Sequence, residues 1–508
     1  MAEMKVLDNH ELPFGSRRVV KIGTTDVLLI HCEAGVVGVQ SKCPHAGGPL
    51  QEGAVCNGRL ICPWHMGTFA LPGGELVEPP AMVPLKTYPV RLRDEGIFVD
   101  DKPNVTGARP EAPCGSDRLI LIVGAGAAGA MAIATMHERH FSGCIVVVDP
   151  VDEEPVDRTQ LSKDALAGKV PLDQVGLSMA SEIKIDHVHA SVSAFSAARR
   201  EAVLSDGTTI QFDRALIATG GIPKHLEIPG SELAYTIRHV RDVMKIHGAL
   251  EGKRKVIILG GSFIALEAAS ALIEKGHHVT VVAKEPLPFA RQFGDRAAAA
   301  LKRLHESHGT NFRLDVEILA ITAQGVEISN GNTSETLQAD VVIAGVGVSP
   351  ALNFSHDLPL SDKGGIRVDN SLRAAAGVWV AGDIAAIDGS RIEHWRVAQQ
   401  HGRVAALAMI GDEAHYGGVP FFWTYHFGKR IDYLGASSHW DEIAFDGDPE
   451  EMKFTAFYLK NDGGERMVEA VLSCGRETET AMLAEMMRTP ITLARARMEL
   501  ERQIQVPA

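Results

Sequence analysis

Two short segments constrain this chain more than any other feature: Cys43-Pro-His45 and, after sixteen intervening residues, Cys62-Pro-Trp-His65. Each offers one thiolate and one imidazole. A Rieske-type [2Fe–2S] cluster takes two Cys on one iron and two His on the other, so two mixed loops clasping it from opposite sides supply the full set. A Cys₂His₂ zinc site is the competing use of the same four residues. Zinc fingers, however, pair like with like, as C-x₂₋₄-C followed by H-x₃₋₅-H. The mixed pairs therefore favour the cluster, with Cys43, His45, Cys62 and His65 as metal ligands. Cys32 and Cys56 read as core or surface thiols rather than ligands.

Around these loops, residues 1 to about 100 run as short apolar stretches punctuated by Gly and Pro: Val27 to Ile30, Gly35 to Gly38, Arg59 to Ile61, Val90 to Leu92 and Ile97 to Val99. That texture predicts a small antiparallel β domain. Asp101 to Ser116 carries three prolines and two glycines without apolar periodicity, the composition of a linker. Beyond it the pattern changes to strand, Gly turn, helix. Leu119-Ile-Leu-Ile-Val123 leads into Gly124, and Val256-Ile-Ile-Leu259 into Gly260 with a helix running to Gly276. Such alternation predicts parallel α/β architecture. From about Val419 strand-like runs return, and the chain ends in a charged helix.

The two turns carry chemistry. Gly124-Ala-Gly126-Ala-Ala-Gly129 follows a strand and opens a helix, and Asp149 ends the next strand, Ile145 to Val148. Glycines there allow a tight turn and close backbone approach to a pyrophosphate, whose charge the helix N-terminus favours. The acid is placed for an adenosine ribose. The second copy is degenerate, Gly260-Gly-Ser262-Phe-Ile-Ala265-Leu-Glu267, with Ser and Ala at the second and third glycine positions. Its following strand, His278 to Val282, ends at Ala283-Lys284-Glu285. Lys284 suits a 2′-phosphate and Glu285 a free ribose, which leaves NADH and NADPH both open.

These motifs carry a family resemblance. Residues Lys42 to Leu50 and Cys62 to Phe69 resemble the Rieske ferredoxin family across about 100 residues. Quinol-oxidising Rieske proteins add a disulfide between the ligand loops and hydroxyl donors to the cluster; the matching positions here are Gly48 and Trp64, and Gly67 and Phe69. Fewer donors leave the reduced cluster less stabilised, so the expected potential lies near the low end of the Rieske range, about −150 mV. From Leu119 onward, Asp157 to Lys163, Ile217 to Gly221, Gly345-Val-Gly347, Val380 to Asp383 and Arg391 to Trp395 occur in the order of FAD-dependent ferredoxin reductases. Those belong to the pyridine nucleotide-disulfide oxidoreductase superfamily. With a Rieske domain in front, and with Glu393 to Gly402 and Pro420 to Thr424, the chain resembles its apoptosis-inducing-factor-3-like subgroup.

The resemblance implies a multidomain fold. It comprises an antiparallel β Rieske domain, two Rossmann-like, glutathione-reductase-like α/β dinucleotide-binding domains, and a C-terminal α+β interface domain. The implied boundaries are 1–103 for the Rieske domain, 104–116 for the linker, 117–245 and 353–414 for the FAD domain, 246–352 for the NAD(P) domain and 415–508 for the last. The resemblance further places Gly124, Gly126, Gly129, Asp149, Arg158, Lys163, Val192, Thr219, Gly220, Arg238, Gly382, Asp383 and Trp395 along FAD. It places Gly260, Ser262, Ala265, Glu267, Lys284 and Gly347 at the nicotinamide nucleotide, with Lys163 pairing Glu267 near the flavin ring as the catalytic pair.

Other chemistries are excluded by spacing. No two of the seven cysteines are spaced as C-x-x-C or C-x₄-C, so a flavin dithiol is absent. No histidine has another five positions away, which removes the usual step of a mononuclear oxygenase iron. What is left is hydride from NADH or NADPH to FAD, then single electrons to the cluster and on to an oxygenase, cytochrome or ferredoxin. The alternative is a slowly turning redox sensor or signalling protein of apoptosis-inducing-factor type. A net charge of −14 argues against nucleic acid. No apolar run reaches the roughly 18 residues of a membrane span, and Met1 to Ser16 lacks the core of a signal peptide. A cytoplasmic monomer or homodimer is the expectation.

Overall fold

The computed structural model describes residues 3–104, 119–151, 155–177, 185–252, 254–437 and 439–504. Of the expected linker, residues 105–116 lie outside them.

The N-terminal hundred residues form three small antiparallel sheets, as their short apolar runs require. One joins Arg17–Ile22, Thr25–Cys32, Gly35–Gln40 and Thr87–Tyr88; another is a meander of Ala54–Cys56, Arg59–Ile61, Thr68–Ala70 and Leu76–Glu78. Both candidate ligand loops leave this part at one end, the second inside the hairpin between Arg59–Ile61 and Thr68–Ala70.

The middle of the chain holds two parallel sheets. In the first, Cys144–Val148, Leu119–Val123, Arg214–Ile217 and Val378–Val380 run side by side. Leu119–Val123 is apolar at every position and buried at four of five, in a core it shares with the helices Ala127–Glu138 and Trp395–Ile410 and with Phe195, Ala202, Leu204 and Phe212. The helix Ala127–Glu138 is built of small residues, which lets the helix Trp395–Ile410 come close: a Cβ on Gly402 would stand 2.1 Å from the Ala128 carbonyl oxygen. The second sheet orders Asn311–Arg313, His278–Val282, Lys255–Leu259 and Val341–Ala344, with the helices Phe263–Glu274 and Ala290–Ser307.

The C-terminal part is a five-stranded antiparallel sheet in the order Phe421–His426, Lys429–Gly435, Glu465–Cys474, Lys453–Asp462 and Glu442–Asp448, followed by helices Glu477–Met486 and Leu493–Ile504. It is the hub of the molecule. One face shares a core with the second parallel sheet, through Tyr433, Phe454 and Tyr458. The other shares a core with the N-terminal part, where Ala54, Ile61 and Met66 pack with Phe421, Leu434 and Phe457. No helix among the described residues is long and apolar enough to cross a membrane.

Candidate redox site

The two ligand loops are the same turn built twice. The Cys43 N–H donates to Gly48 O at 2.8 Å and the Cys62 N–H to Gly67 O at 2.8 Å; Gly47 N–H returns to Cys43 O and Met66 N–H to Cys62 O. The pseudo-symmetry brings like donors together. The thiols of Cys43 and Cys62 hydrogen-bond to each other, and the Nδ1 atoms of His45 and His65 lie 3.1 Å apart. A sulfur pair beside an imidazole pair is the division a two-iron cluster uses and a single tetrahedral ion does not require. Through that contact the Cys43 thiol is pushed up and the Cys62 thiol down. Both imidazoles are held below their ordinary value, chiefly by burial.

The positions that the resemblance matched to a disulfide do adjoin each other, since a Cβ on Gly48 would sit 3.3 Å from the Trp64 ring and 2.9 Å from Cys62 Sγ. A Cβ on Gly67 would stand 3.7 Å from the Cys43 sulfur and 3.8 Å from fully buried Phe69, and neither residue carries a hydroxyl. Cys32 and Cys56 are half-buried free thiols outside this group.

What covers the imidazole side is the rest of the chain. The His65 ring lies 4.4 Å from that of Trp423 on the first strand of the C-terminal sheet. Arg396 donates to Pro79 O and Met66 O, Arg403 to Leu76 O, and Gln400 to Glu78. Arg488 closes on Glu78 and Arg59 on Glu485. Lys163 and Arg430 both raise the positive potential at His65. Arg430 in turn makes a two-pronged pair with Asp432, 2.8 Å at each contact. The ligand pair thus faces the flavoprotein half and carries two cations from it.

The Gly124 turn is shaped as the motif predicts. Gly124 has φ 103°, and a Cβ on Gly129 would stand 2.0 Å from Gly124 O. Asp149 is buried and turned back on the turn, accepting from Ala125 N at 2.6 Å and Val151 N at 2.8 Å. Two guanidinium groups converge beside it. Arg158 lies next to Gly126 and is buried enough for its pKa to fall to about 10, with Arg238 the next cause. Arg238 is 3.8 Å from Asp383, whose carboxyl is raised by burial. Two cations against one shared carboxylate make a site that suits a diphosphate. Trp395 Nε1 and Arg391 Nε are buried without a partner among the described residues, as groups waiting on a polar ligand would be. Thr219 donates to Ala351 O, while Val192 begins the strand Val192–Ser196 at the edge of the same core.

The Gly260 turn repeats the backbone plan: Gly260 N–H donates to Val282 O as Gly124 N–H does to Val148 O. Ser262 caps the helix and also donates to Gly345 O at 2.7 Å. Gly345 packs directly on Ala265, where a Cβ on the glycine would stand 2.9 Å from the alanine Cβ. Gly347 has φ 95°, and Lys284 and Glu285 both lie exposed beyond the strand end.

Lys163 and Glu267 meet as expected, Nζ to Oε2 at 3.0 Å, with side chains 15 % and 5 % exposed. Ser162 donates to the same oxygen at 2.5 Å and Thr424 to the other at 2.7 Å. Sequence reasoning missed the residues behind this pair, namely Thr424 as an anchor, His426, His305 and the Arg430–Asp432 couple. Thr424 stands in a motif that the resemblance singled out; the others carry no local signal.

Known proteins resemble this chain in sequence and in fold. The family model described as pyridine nucleotide-disulphide oxidoreductase matches residues 118–402, and that of the Rieske [2Fe-2S] domain matches residues 2–89. Apoptosis-inducing factor 3 of Homo sapiens is 30 % identical, over 98 % of this chain and 86 % of its own length. The ferredoxin–NAD(+) reductase component of the anthranilate 1,2-dioxygenase system of Burkholderia cepacia is 30 % identical, over 71 % of this chain and 92 % of its own. In fold, the chain matches the crystal structure of the covalent putidaredoxin reductase–putidaredoxin complex with a TM-score of 0.69 and 24 % identity, covering 77 % of this chain and 99 % of that one.

Proposed function

The chain belongs to the pyridine nucleotide-disulphide oxidoreductase family, with a Rieske domain ahead of the family's fold, and we propose that it feeds electrons through its own cluster to a separate metalloprotein such as an oxygenase or cytochrome. It is an FAD-dependent NAD(P)H oxidoreductase with a [2Fe–2S] cluster. FAD takes up two electrons as a hydride and gives them back singly, and a Rieske cluster carries one at a time. The residues divide the remaining work. Arg158 and Arg238 hold the diphosphate, Asp149 braces the turn beneath it, and Asp383 faces the ribityl chain. Lys163 holds a positive charge at the ring edge, while Glu267, anchored by Ser162 and Thr424, keeps that ammonium in place. Gly260, Ser262 and Ala265 shape the nicotinamide nucleotide's turn. Cys43, His45, Cys62 and His65 hold the cluster, and the proposed domain division follows the boundaries given above.

The observation that carries this reading is the contact between His65 and Trp423. A ligand imidazole is buried against the flavoprotein half, with the Lys163 charge felt at its ring. The relative named as the reductase component of a dioxygenase system supports an external acceptor of that kind. Anaerobic stopped-flow with NADH and with NADPH tests the reading. Flavin bleaching followed by cluster reduction at a rate independent of protein concentration is the expected result. Cluster reduction that is second order in protein, or absent, would overturn it.

A further inference from the structure

Behind Glu267 runs a buried chain of side chains that hydride transfer does not use. Thr424 Oγ1 donates to Glu267 Oε1 at 2.7 Å. His426 Nε2 lies 2.9 Å from Thr424 Oγ1, His305 Nε2 lies 3.1 Å from His426 Nδ1, and Thr310 Oγ1 lies 3.3 Å from His305 Nδ1. Thr424, His426 and His305 are wholly buried and Thr310 is 4 % exposed. The links come from four places in the sequence: the helix Phe263–Glu274, the strand Phe421–His426, the helix Ala290–Ser307 and the turn after it. That turn reaches the surface at exposed His308 and Gly309.

The hydrogen positions follow from the inner end. An ionised carboxylate only accepts, so the one hydroxyl hydrogen of Thr424 points at Glu267. His426, whose ring N–H also has the Leu266 carbonyl as an acceptor, must then donate from Nε2, and a neutral ring with one N–H accepts at Nδ1. The same reasoning makes His305 donate from Nε2 and accept from the Thr310 hydroxyl. Burial keeps both rings neutral, driving the His426 pKa down to about 3 and that of His305 well below its ordinary value. Every donor in the chain therefore points inward at one carboxylate.

We propose that Thr310, His305, His426 and Thr424 form a proton conduit that protonates Glu267 when the flavin is reduced and takes the proton back when the electrons leave. This rests on the placement of Lys163 and Glu267 at the flavin edge. A hydride adds one negative charge there. In compensation one solvent proton enters at Thr310, each link passes its own hydrogen one place inward, and the Glu267 carboxylate becomes a carboxyl. The passage leaves every link pointing outward. Once a bound flavin had given up its electrons, the Glu267 proton would retrace the path and restore the first state, and the proton that arrived with the hydride would go to water. Per turnover one NAD(P)H yields NAD(P)⁺, one proton and two electrons.

Two measurements test the conduit on the holoenzyme. Nitrogen-15 NMR of histidine-labelled oxidised protein should show His426 and His305 as neutral Nε2–H tautomers; Nδ1–H tautomers or charged rings would overturn the proposal without any variant. A pH-indicator dye in weakly buffered stopped-flow should report one proton taken up per flavin bleached. Thr424→Val should slow that uptake about tenfold or more, and Thr424→Ser should restore it. Uptake as fast in Thr424→Val as in the wild type would sink the conduit and leave the flavin assignment intact. If instead Lys163→Ala leaves both the flavin spectrum and its bleaching rate unchanged, the assignment of the pair to the flavin fails first.

Discussion

The imidazole of His65 and the indole of Trp423 pack with ring centroids 4.4 Å apart and planes tilted by 50°. The two residues are 358 positions apart, one in a ligand loop and the other on a strand of the C-terminal sheet. Aromatic pairs of this kind contribute about 0.5–1.5 kcal/mol beyond area burial. Trp423→Ala should therefore reduce the docked population, and with it the rate of cluster reduction by the flavin, by up to about tenfold. Flavin bleaching by NAD(P)H should stay unchanged in the same stopped-flow traces. Equal slowing of both phases would place Trp423 at the flavin instead.

The electrostatics of the ligand pair give a prediction with two signs. Reduction adds an electron to the cluster, so a nearby cation raises its potential and a nearby anion lowers it. Arg430 acts on both Cys62 and His65, and Asp432 opposes it from 2.8 Å. At an effective dielectric near 20, one charge at this range is worth about 1–3 kcal/mol. Arg430→Met should lower the cluster potential by on the order of 50 mV, and Asp432→Asn should raise it by a similar amount. Spectroelectrochemical titration reads both. Shifts of the same sign would show a packing effect in place of charge.

The site was legible in the sequence wherever a few consecutive residues decide the geometry. Cys43 to Gly48 and Cys62 to Gly67 each close their own turn through backbone hydrogen bonds, so their spacing already encodes the donor arrangement. The Gly124 and Gly260 turns are likewise local, each set by a strand, a turn and a helix start. Lys163 and Glu267, 104 positions apart, came only through resemblance to a family. His305 and His426 had no such help. Each is a lone histidine in an amphipathic element, and only the C-terminal sheet packing on the second parallel domain makes them partners. Arg430 and Asp432 alternate on a strand like any surface ion pair, and nothing in the residues around them says that the face they occupy lies against His65.

Lys163→Ala should slow flavin bleaching by NAD(P)H about a hundredfold, the order lost when one preorganised electrostatic group is removed from a developing charge. Glu267→Gln should slow it less, because the ammonium stays and only its anchor weakens. Lys163 also donates to Thr159 O at 2.9 Å, which keeps the side chain nearby without the carboxylate. The paired rates in single-turnover bleaching check the ranking, and a larger loss in Glu267→Gln than in Lys163→Ala would reverse the roles.

Arg238→Met should weaken FAD binding without unfolding the chain. Its guanidinium is held by one carboxylate at 3.8 Å, a loose contact that leaves it available to an anion. A hydrogen bond to a charged group contributes about 1.5–3 kcal/mol, so the dissociation constant should rise about 10- to 100-fold. Fluorescence titration of FAD into apoprotein measures it. Unchanged affinity would move the diphosphate away from this arginine.

Acid should destabilise the fold through its buried neutral histidines. Burial lowers His401 to about 4 and His426 to about 3, against an ordinary value of 6.5. A folded-state pKa below the unfolded one means that the unfolded chain binds more protons as pH falls. The stability is thus complete above 6.5 and lost below it, at about 1.4 kcal/mol per pH unit for each ring. Asp432 works in the opposite sense. Burial raises it to about 6 from 3.8, so protonating it between those values favours the folded state. Two rings outweigh one carboxyl: from pH 6.5 to pH 5 the histidines lose about 3 kcal/mol together and Asp432 returns about 1 kcal/mol. Calorimetry of the holoprotein should show the melting temperature falling over that interval, and the fall should be steeper in Asp432→Asn, which lacks the compensating carboxyl. A melting temperature that is flat or rises toward pH 5 would mean that the two rings are charged or solvated in the folded protein.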